Sequence, residues 1–209
     1  MIFRESNFLS DNLFEIISLK SQRLYKMSKL EDTVMEVVRD DIDPDRGIYD
    51  KNISHQRAMR FRFYCNGDDV MDETVAFFGP DVGKILLQVK NYLIDKGWEN
   101  ITLSNVWFQY GDSETQMHRH SDGTIHNATD ENCFTSMIFT HPKWDNEWGG
   151  IFNVESMDGT ETTIQNPDPN SFIIWNRHHP HWMTPIVENC PTRMFMGMSW
   201  YQKEDEHDI

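Results

Sequence analysis

The spacing of apolar residues changes near residue 100, and this change constrains the fold of the chain most. Before it, helical spacing recurs over 7–25, about 29–38 and 82–96, with one half-exposed strand from Met59 to Cys65. After it, turn residues separate six short strand-like runs, which cover 101–110, 133–140, 150–155, 160–164, 171–176 and 193–201. Helices followed by strands predict an α+β chain whose mainly β core is an antiparallel barrel or double sheet, with the N-terminal helices packed on one sheet.

The length of the chain fits one domain. Its 209 residues match the size of about one ordinary domain, and 38% apolar residues are enough for one substantial core. No internal repeat, low-complexity tract or Ser/Gly-rich linker divides the sequence. We therefore expect a single domain over 1–209, with a mostly helical support in 1–100 and the β-rich core in 101–201.

Acidic residues dominate the charge of the chain. There are 34 acidic and 19 basic residues, a net charge of −15, which is the wrong sign for a surface that binds phosphates. Nucleic-acid binding is therefore not expected. Residues 101–209 hold 16 acidic and only 5 basic residues, so an arginine that binds an anion would stand out there. The five are Arg119, Lys143, Arg177, Arg193 and Lys203.

Neither membrane insertion nor export is expected. No apolar run is long enough to span a bilayer, and charged residues such as Arg4 and Glu5 interrupt the N-terminus where a signal peptide would be apolar. The three cysteines, Cys65, Cys133 and Cys190, are too few and too widely spaced for a disulfide framework or a CxxC zinc site. These features predict a cytoplasmic protein with reduced cysteines.

Histidines concentrate in the β-rich half, in two clusters around His120 and His181. His120 and Asp122 stand two apart, so on an extended segment both side chains emerge on the same side and can share one metal ion. A histidine from a distant strand would complete two imidazoles and one carboxylate with open positions, a set that suits non-haem Fe(II). Chance alone gives about one His-x-Asp pair in such a composition, so the pair needs support from its surroundings.

That support comes from the stretch PNSFIIWNRHHPHWMTPIVENCPTRMFMGMSWY. It resembles the C-terminal part of the prolyl 4-hydroxylase-like 2-oxoglutarate and Fe(II)-dependent dioxygenases. The features that match in order are a strand ending in Trp175, the pair Pro180-His181, Pro185 four residues later, and Thr192-Arg193 opening a strand that ends in Trp200-Tyr201. Upstream, WDNEWGG resembles the turn with a Gly-Gly pair in this family, and NFLSDNLFEII its opening helix. The resemblance covers residues 101–201 well.

The resemblance implies a double-stranded β-helix, or jelly roll, and a set of site residues. His120, Asp122 and His181 would be the iron ligands, and Tyr110 would lie near the co-substrate 2-oxoglutarate. Arg193 would grip the remote carboxylate of 2-oxoglutarate through paired, charge-assisted hydrogen bonds. Alternation along the last strand puts Arg193 on one face, the less bulky face expected of a pocket. This face also carries Phe195, Gly197 and Ser199, and the other carries Met194, Met196, Met198 and Trp200.

The implied activity is that of an Fe(II)- and 2-oxoglutarate-dependent dioxygenase, most simply a hydroxylase. Its substrate would be a peptidyl proline or another amino-acid-like peptide or small molecule, and succinate and CO2 would be released. Fe(II), 2-oxoglutarate and O2 are therefore the expected cofactor and co-substrates, with ascorbate as a candidate reductant. The oligomeric state is left open.

Two features leave alternatives open. Phe139 stands where many prolyl hydroxylases carry a second co-substrate-binding tyrosine, and Tyr110 or Thr140 are candidates to compensate. His118 could join His120 and His181 in the three-histidine site of a cupin-like metalloenzyme. A non-catalytic jelly-roll binding protein without a metal is the third alternative.

Overall fold

The computed structural model describes residues 2–30, 58–64, 70–113, 115, 117–123 and 132–203. Three α-helices lie among these residues: α1 (Asp11–Leu30), α2 (Met71–Phe78) and α3 (Pro80–Asp95). The strands are β1 (Ile2–Glu5), β2 (Ala58–Tyr64), β3 (Ile101–Gly111), β4 (Met117–His120), β5 (Cys133–Phe139), β6 (Phe152–Glu155), β7 (Thr162–Gln165), β8 (Phe172–Asn176), β9 (His181–Met183) and β10 (Arg193–Gln202). A short 3-10 turn covers Asn146–Trp148.

The strands form two antiparallel sheets. The larger has six strands in the order β1-β8-β5-β10-β3-β2, and the smaller has four in the order β4-β9-β6-β7. Neighbours in the larger sheet are far apart in sequence, as β10 between β3 and β5 shows. This arrangement of two antiparallel sheets with helices on the larger one confirms the predicted fold class.

The helices bury one stripe each against the outer face of the larger sheet. In α3 the buried positions follow helical spacing, and in β10 every second residue faces the helices. The main contributors are Ile17 of α1, Ile85, Leu86, Val89 and Leu93 of α3, and Met194, Met196, Met198 and Trp200 of β10. Burying one such side chain contributes about 1.5–3 kcal/mol, so this layer fixes the larger sheet on its support.

A second apolar layer fills the space between the two sheets. It takes Met137, Phe139, Ile173, Trp175 and Phe195 from the larger sheet, and Phe152 and Val154 from β6 of the smaller. The face of β10 that carries Phe195 therefore points between the two sheets, as the alternation along this strand predicted. Gly197 on this face does not open a pocket, however, because a Cβ there would lie 2.2 Å from the Trp107 ring. Trp107 fills that space.

The N-terminal hundred residues supply strands as well as helices. Strand β1 pairs with β8 at one edge of the larger sheet, and β2 pairs with β3 at the other. The expected helix over 29–38 lies largely outside the described residues, since α1 is described to Leu30. None of the described helices combines the length and the apolar character needed to cross a membrane.

Candidate active site

Three of the predicted site residues meet at one edge of the smaller sheet. His120 ends β4 and His181 begins β9, and the two are paired in register, with ring centroids 4.4 Å apart. Asp122 follows β4 by two residues. Its Oδ1 lies 3.8 Å from Nε2 of His120, and its Oδ2 lies 3.9 Å from Nε2 of His181. The ligand atoms of the three residues all lie within 4.8 Å of one another, so a single metal ion fits between them.

Backbone carbonyls orient both imidazoles toward this point. Nδ1 of His120 lies 2.8 Å from the carbonyl oxygen of His118, and Nδ1 of His181 lies 2.9 Å from that of His179. A carbonyl only accepts, so each Nδ1 carries a hydrogen and Nε2 is the ring nitrogen directed toward the cluster. Burial lowers the pKa of His181, against a smaller opposing effect of Asp122. That imidazole is therefore neutral at pH 7, as a metal ligand must be.

Arg193 is a buried cation inside the jelly roll. It is 3% exposed, and its guanidinium carbon lies 4.7 Å from the ring centre of Phe139 and 5.1 Å from that of Phe195. Within the described part of the chain, its Nε and Nη2 have no hydrogen-bond partner. Burial lowers the pKa of Arg193 to about 9, which leaves it charged at neutral pH. Because an unpaired buried charge is costly, this group is suited to binding an anion.

The predicted Gly-Gly pair shapes the space beside Arg193. Both residues have a left-handed backbone, with φ of 74° at Gly149 and 66° at Gly150. A Cβ on Gly149 would lie 2.1 Å from the carbonyl oxygen of Pro185, and one on Gly150 would lie 2.9 Å from Cδ of Arg193. Glycines are needed here because the loop packs directly against Arg193 and against the segment that follows His181.

His141 forms hydrogen bonds that fix the backbone at the start of β10. Its Nε2 donates to the carbonyl oxygen of Pro167 at 2.6 Å, and its Nδ1 accepts from the backbone N–H of Met194 at 3.2 Å. Burial lowers the pKa of His141 to about 4, so the ring is neutral at pH 7. Arg193 is therefore anchored through the backbone of its neighbour. No motif in the sequence distinguishes His141, and its only signal is its place in the histidine-rich half of the chain.

Two residues proposed to orient the co-substrate face the wrong side of the larger sheet. Tyr110 pairs in register with Met194 rather than with Arg193, and its hydroxyl donates to the carbonyl oxygen of Ser21 in α1 at 3.0 Å. Thr140 donates to the hydroxyl of Ser21 at 2.9 Å. Both are buried under the helices. The predicted role of Tyr110 is therefore wrong, and Thr140 does not compensate for Phe139 either.

The other histidines lie outside the cluster. His118 is exposed and is not among the described residues whose ligand atoms converge, so the three-histidine alternative gains no support. His179 is buried, and its Nδ1 lies 2.8 Å from the carbonyl oxygen of Glu155. Arg177, which the sequence marked only as one of the few basic residues, approaches Asp122 to 3.8 Å.

Residues 106–202 match a family model described as the 2OG-Fe(II) oxygenase superfamily. Over this range the chain is similar to that superfamily. The match begins within β3 and ends with β10, so it contains the three clustered residues and Arg193. The predicted resemblance is confirmed, and with it the enzyme class, a 2-oxoglutarate-dependent non-haem iron dioxygenase. A search of curated proteins found no match to the sequence.

Solved structures of 2OG-Fe(II) oxygenase type share the fold. A Pseudomonas putida prolyl-4-hydroxylase is 12% identical, with a TM-score of 0.60, over 97% of this chain and 92% of that chain. A Trichoplax adhaerens prolyl hydroxylase, solved with a hypoxia inducible factor peptide, is 16% identical, with a TM-score of 0.63, over 96% and 83%. HygX from Streptomyces hygroscopicus, solved with nickel and 2-oxoglutarate, is 11% identical, with a TM-score of 0.57, over 97% and 83%. At these identities the comparison establishes a common fold.

Proposed function

We propose that His120, Asp122 and His181 hold Fe(II) and that Arg193 binds the carboxylate of 2-oxoglutarate remote from the metal. The observation that carries this proposal is the buried guanidinium of Arg193, whose Nε and Nη2 have no hydrogen-bond partner among the described residues. Phe139 and Phe195 flank Arg193, and two further members of that layer contact the ring of His181. These are Phe152, at 5.6 Å between ring centres, and Trp175, at 5.3 Å.

The donor set suits the proposed metal. Two imidazoles and one carboxylate fill one face of an octahedron and leave three positions for other ligands. Fe(II) bound there would supply the redox chemistry by which O2 oxidises 2-oxoglutarate to succinate and CO2 and hydroxylates the substrate. The carbonyls of His118 and His179 keep the two imidazoles in the tautomer that coordination requires.

The surroundings of Arg193 suit a dicarboxylate that enters with one end toward the metal. The Nε and Nη2 of this guanidinium, which have no partner in the described ranges of the chain, can donate two parallel hydrogen bonds to one carboxylate. The rings of Phe139 and Phe195 exclude water, which strengthens this attraction. Phe139 offers no hydroxyl, so we propose that Arg193 holds the carboxylate without help from a tyrosine of β3 or β5.

We propose a peptidyl proline or another amino-acid-like molecule as the substrate. Support comes from the structural likeness to two prolyl hydroxylases, one of them solved with a peptide. In this account residues 1–209 form one domain with the catalytic core in 101–201, and ascorbate serves to keep the iron reduced.

Arg193→Met tests the co-substrate assignment. Under anaerobic conditions with Fe(II), we expect wild-type protein to bind 2-oxoglutarate in a 1:1 ratio by calorimetric titration. The variant should retain Fe(II) but lose at least about tenfold in 2-oxoglutarate affinity, because each charge-assisted hydrogen bond contributes about 1.5–3 kcal/mol.

Arg119→Gln is the matched control for this experiment. Arg119 is an exposed arginine of β4 that pairs with Glu155 at 2.8 Å, so its loss should leave 2-oxoglutarate binding unchanged. Equal affinity of wild type and Arg193→Met would contradict the assignment of Arg193. Wild-type protein that binds neither Fe(II) nor 2-oxoglutarate would contradict the proposed function as a whole.

A further inference from the structure

Asp122 is the one member of the cluster that no strand holds. His120 and His181 belong to paired strands, whereas Asp122 lies beyond the end of β4. Its backbone N–H donates to the carbonyl oxygen of Arg177 at 2.9 Å, and Arg177 in turn donates its own N–H to Cys133 at 3.0 Å. The position of Asp122 is therefore set from the segment between β8 and β9.

The side chain of Arg177 strengthens this support. Its Nε donates to the carbonyl oxygen of Gly123 at 2.8 Å, directly after Asp122. Its Nη1 donates to Oγ of Ser199 in β10 at 2.9 Å and to Oγ1 of Thr135 in β5 at 3.2 Å. With 13% of its side chain exposed, the guanidinium ties the loop of Asp122 to the two central strands of the larger sheet.

The same network reaches one oxygen of the carboxylate. Thr135 donates from Oγ1 to Oδ2 of Asp122 at 3.4 Å, and Nη1 of Arg177 lies 3.8 Å from that oxygen. Oδ1 is the oxygen that approaches Nε2 of His120. We infer that Arg177 is a positioning residue which, through Thr135 and Gly123, orients the carboxylate of Asp122 toward the metal. This inference rests on the metal site of the proposed function.

Charge and orientation make opposite predictions for Arg177. A cation near Asp122 competes with a metal cation for the carboxylate, so charge alone would make the arginine unfavourable for metal binding. Orientation has the opposite effect, because a carboxylate held in place loses less freedom when it binds. The distance of 3.8 Å is too long for a direct hydrogen bond, and all three hydrogen bonds of the guanidinium go to neutral oxygens. Orientation therefore dominates.

Co(II) binding to two variants of Arg177 separates these effects. Arg177→Gln removes both the positive charge and the branched guanidinium. Arg177→Lys keeps the charge, but a single ammonium cannot donate to Gly123 and to the hydroxyls of Thr135 and Ser199 at the same time. We expect Co(II) affinity to fall about 10–100-fold in Arg177→Gln and to fall in Arg177→Lys as well. The visible absorption spectrum of bound Co(II) should also change, since it reports the ligand geometry, which a purely structural role would not move.

Several results would overturn the inference. Arg177→Gln with unchanged or tighter Co(II) binding would show that orientation is unimportant, and wild-type affinity in Arg177→Lys would show that the hydrogen bonds to Gly123, Ser199 and Thr135 are not needed. If Arg177→Gln fails to fold by circular dichroism, Thr135→Val removes only the bridging hydroxyl and should still weaken Co(II) binding. An unchanged affinity in Thr135→Val would then overturn the inference.

The wild type and Arg119→Gln distinguish this inference from the proposed function. Arg119→Gln should bind Co(II) as tightly as the wild type, because its partner Glu155 lies outside the cluster. If both bind Co(II) and Arg177→Gln binds it equally well, only the role of Arg177 is wrong. If the wild type binds no Co(II), the proposed metal site is wrong, and the role of Arg177 falls with it.

Discussion

Arg193 shows how one residue can cost stability in the free protein and serve binding. Its Nε and Nη2 lack partners among the described residues. The cation–π contacts with Phe139 and Phe195 offset only part of the free energy that the guanidinium loses when it leaves water. Polar groups left unsatisfied in this way concentrate at functional sites, where a ligand supplies the missing partner. The acidic balance of residues 101–209 made this arginine conspicuous in the sequence, and its burial gives the reason for its presence.

We predict that Arg193→Met stabilises the ligand-free protein. Methionine is unbranched and apolar and can pack between Phe139 and Phe195, and the unpaired charge disappears. The expected gain in the free energy of unfolding is about 1–3 kcal/mol, measured by urea denaturation without 2-oxoglutarate or metal. Adding metal and 2-oxoglutarate should stabilise the wild type more than the variant. A variant less stable than the wild type would show that Arg193 has a structural partner.

Residue types and spacing could predict the cluster but not the direction of every side chain. His120, Asp122, His181 and Arg193 came from motifs whose residue order is characteristic. Tyr110 was assigned to the wrong face of the larger sheet. Adjacent residues of a strand face opposite sides of the sheet, so a shift of one residue reverses the face. Only the register of β3 against β10, which pairs Tyr110 with Met194, decides the face, and a single sequence does not contain that register.

At the scale of elements, the loop with Gly149 and Gly150 links the two halves of the site. It packs its backbone against Pro185, after the strand that carries His181, and against Arg193 at the start of β10. Gly149 also forms an isolated bridge with Ile186. The loop thereby keeps the segment after one proposed metal ligand close to the residue proposed to bind the co-substrate.

We predict that Gly150→Ala weakens 2-oxoglutarate binding. The alanine must adopt a left-handed backbone, at a cost of about 1–2 kcal/mol, and its Cβ would press on Cδ of Arg193. Gly159→Ala, in the hairpin between β6 and β7, carries the same backbone penalty at φ of 72° but meets only the flexible Glu155 side chain. Both variants should lose stability in thermal unfolding, and Gly150→Ala should lose more because its Cβ also meets Ile186 at 3.2 Å. In calorimetric titrations of the Mn(II)-loaded protein, only Gly150→Ala should lose about tenfold or more in affinity, and equal affinities would contradict the account.

Long strands and helix α3 were predictable, and short elements were predicted only where turn residues bound them, as for β6, β7 and β8. Strands β3, β5 and β10 and helix α3 lie within about two residues of their predicted bounds, because each repeats its pattern several times. Strands β4 and β9 have four and three residues, too few to show an alternation, although they carry His120 and His181. Helix α2, with eight residues, and β1, with four, were missed for the same reason.

At the scale of the whole molecule, the two faces of the larger sheet have different roles, one in stability and the other in the proposed site. The outer face buries apolar residues of β10 under the helices, and the inner face carries Arg193 and, through Ser199 and Thr135, the support of Asp122. The sequence predicted helices on one sheet from its order of elements. The pairing of β10 between β3 and β5 could not be predicted from spacing, because those contacts join residues about 55 to 100 positions apart.

The most direct test of the account is 2-oxoglutarate turnover by the whole protein. With Fe(II), ascorbate and O2, the wild type should form succinate from 2-oxoglutarate, slowly even without a substrate. Asp122→Ala should abolish succinate formation because it removes a proposed metal ligand, whereas His118→Ala should retain it, since that side chain is exposed outside the cluster. Succinate formation that survives in Asp122→Ala but is lost in His118→Ala, or that is absent from the wild type, would contradict the account.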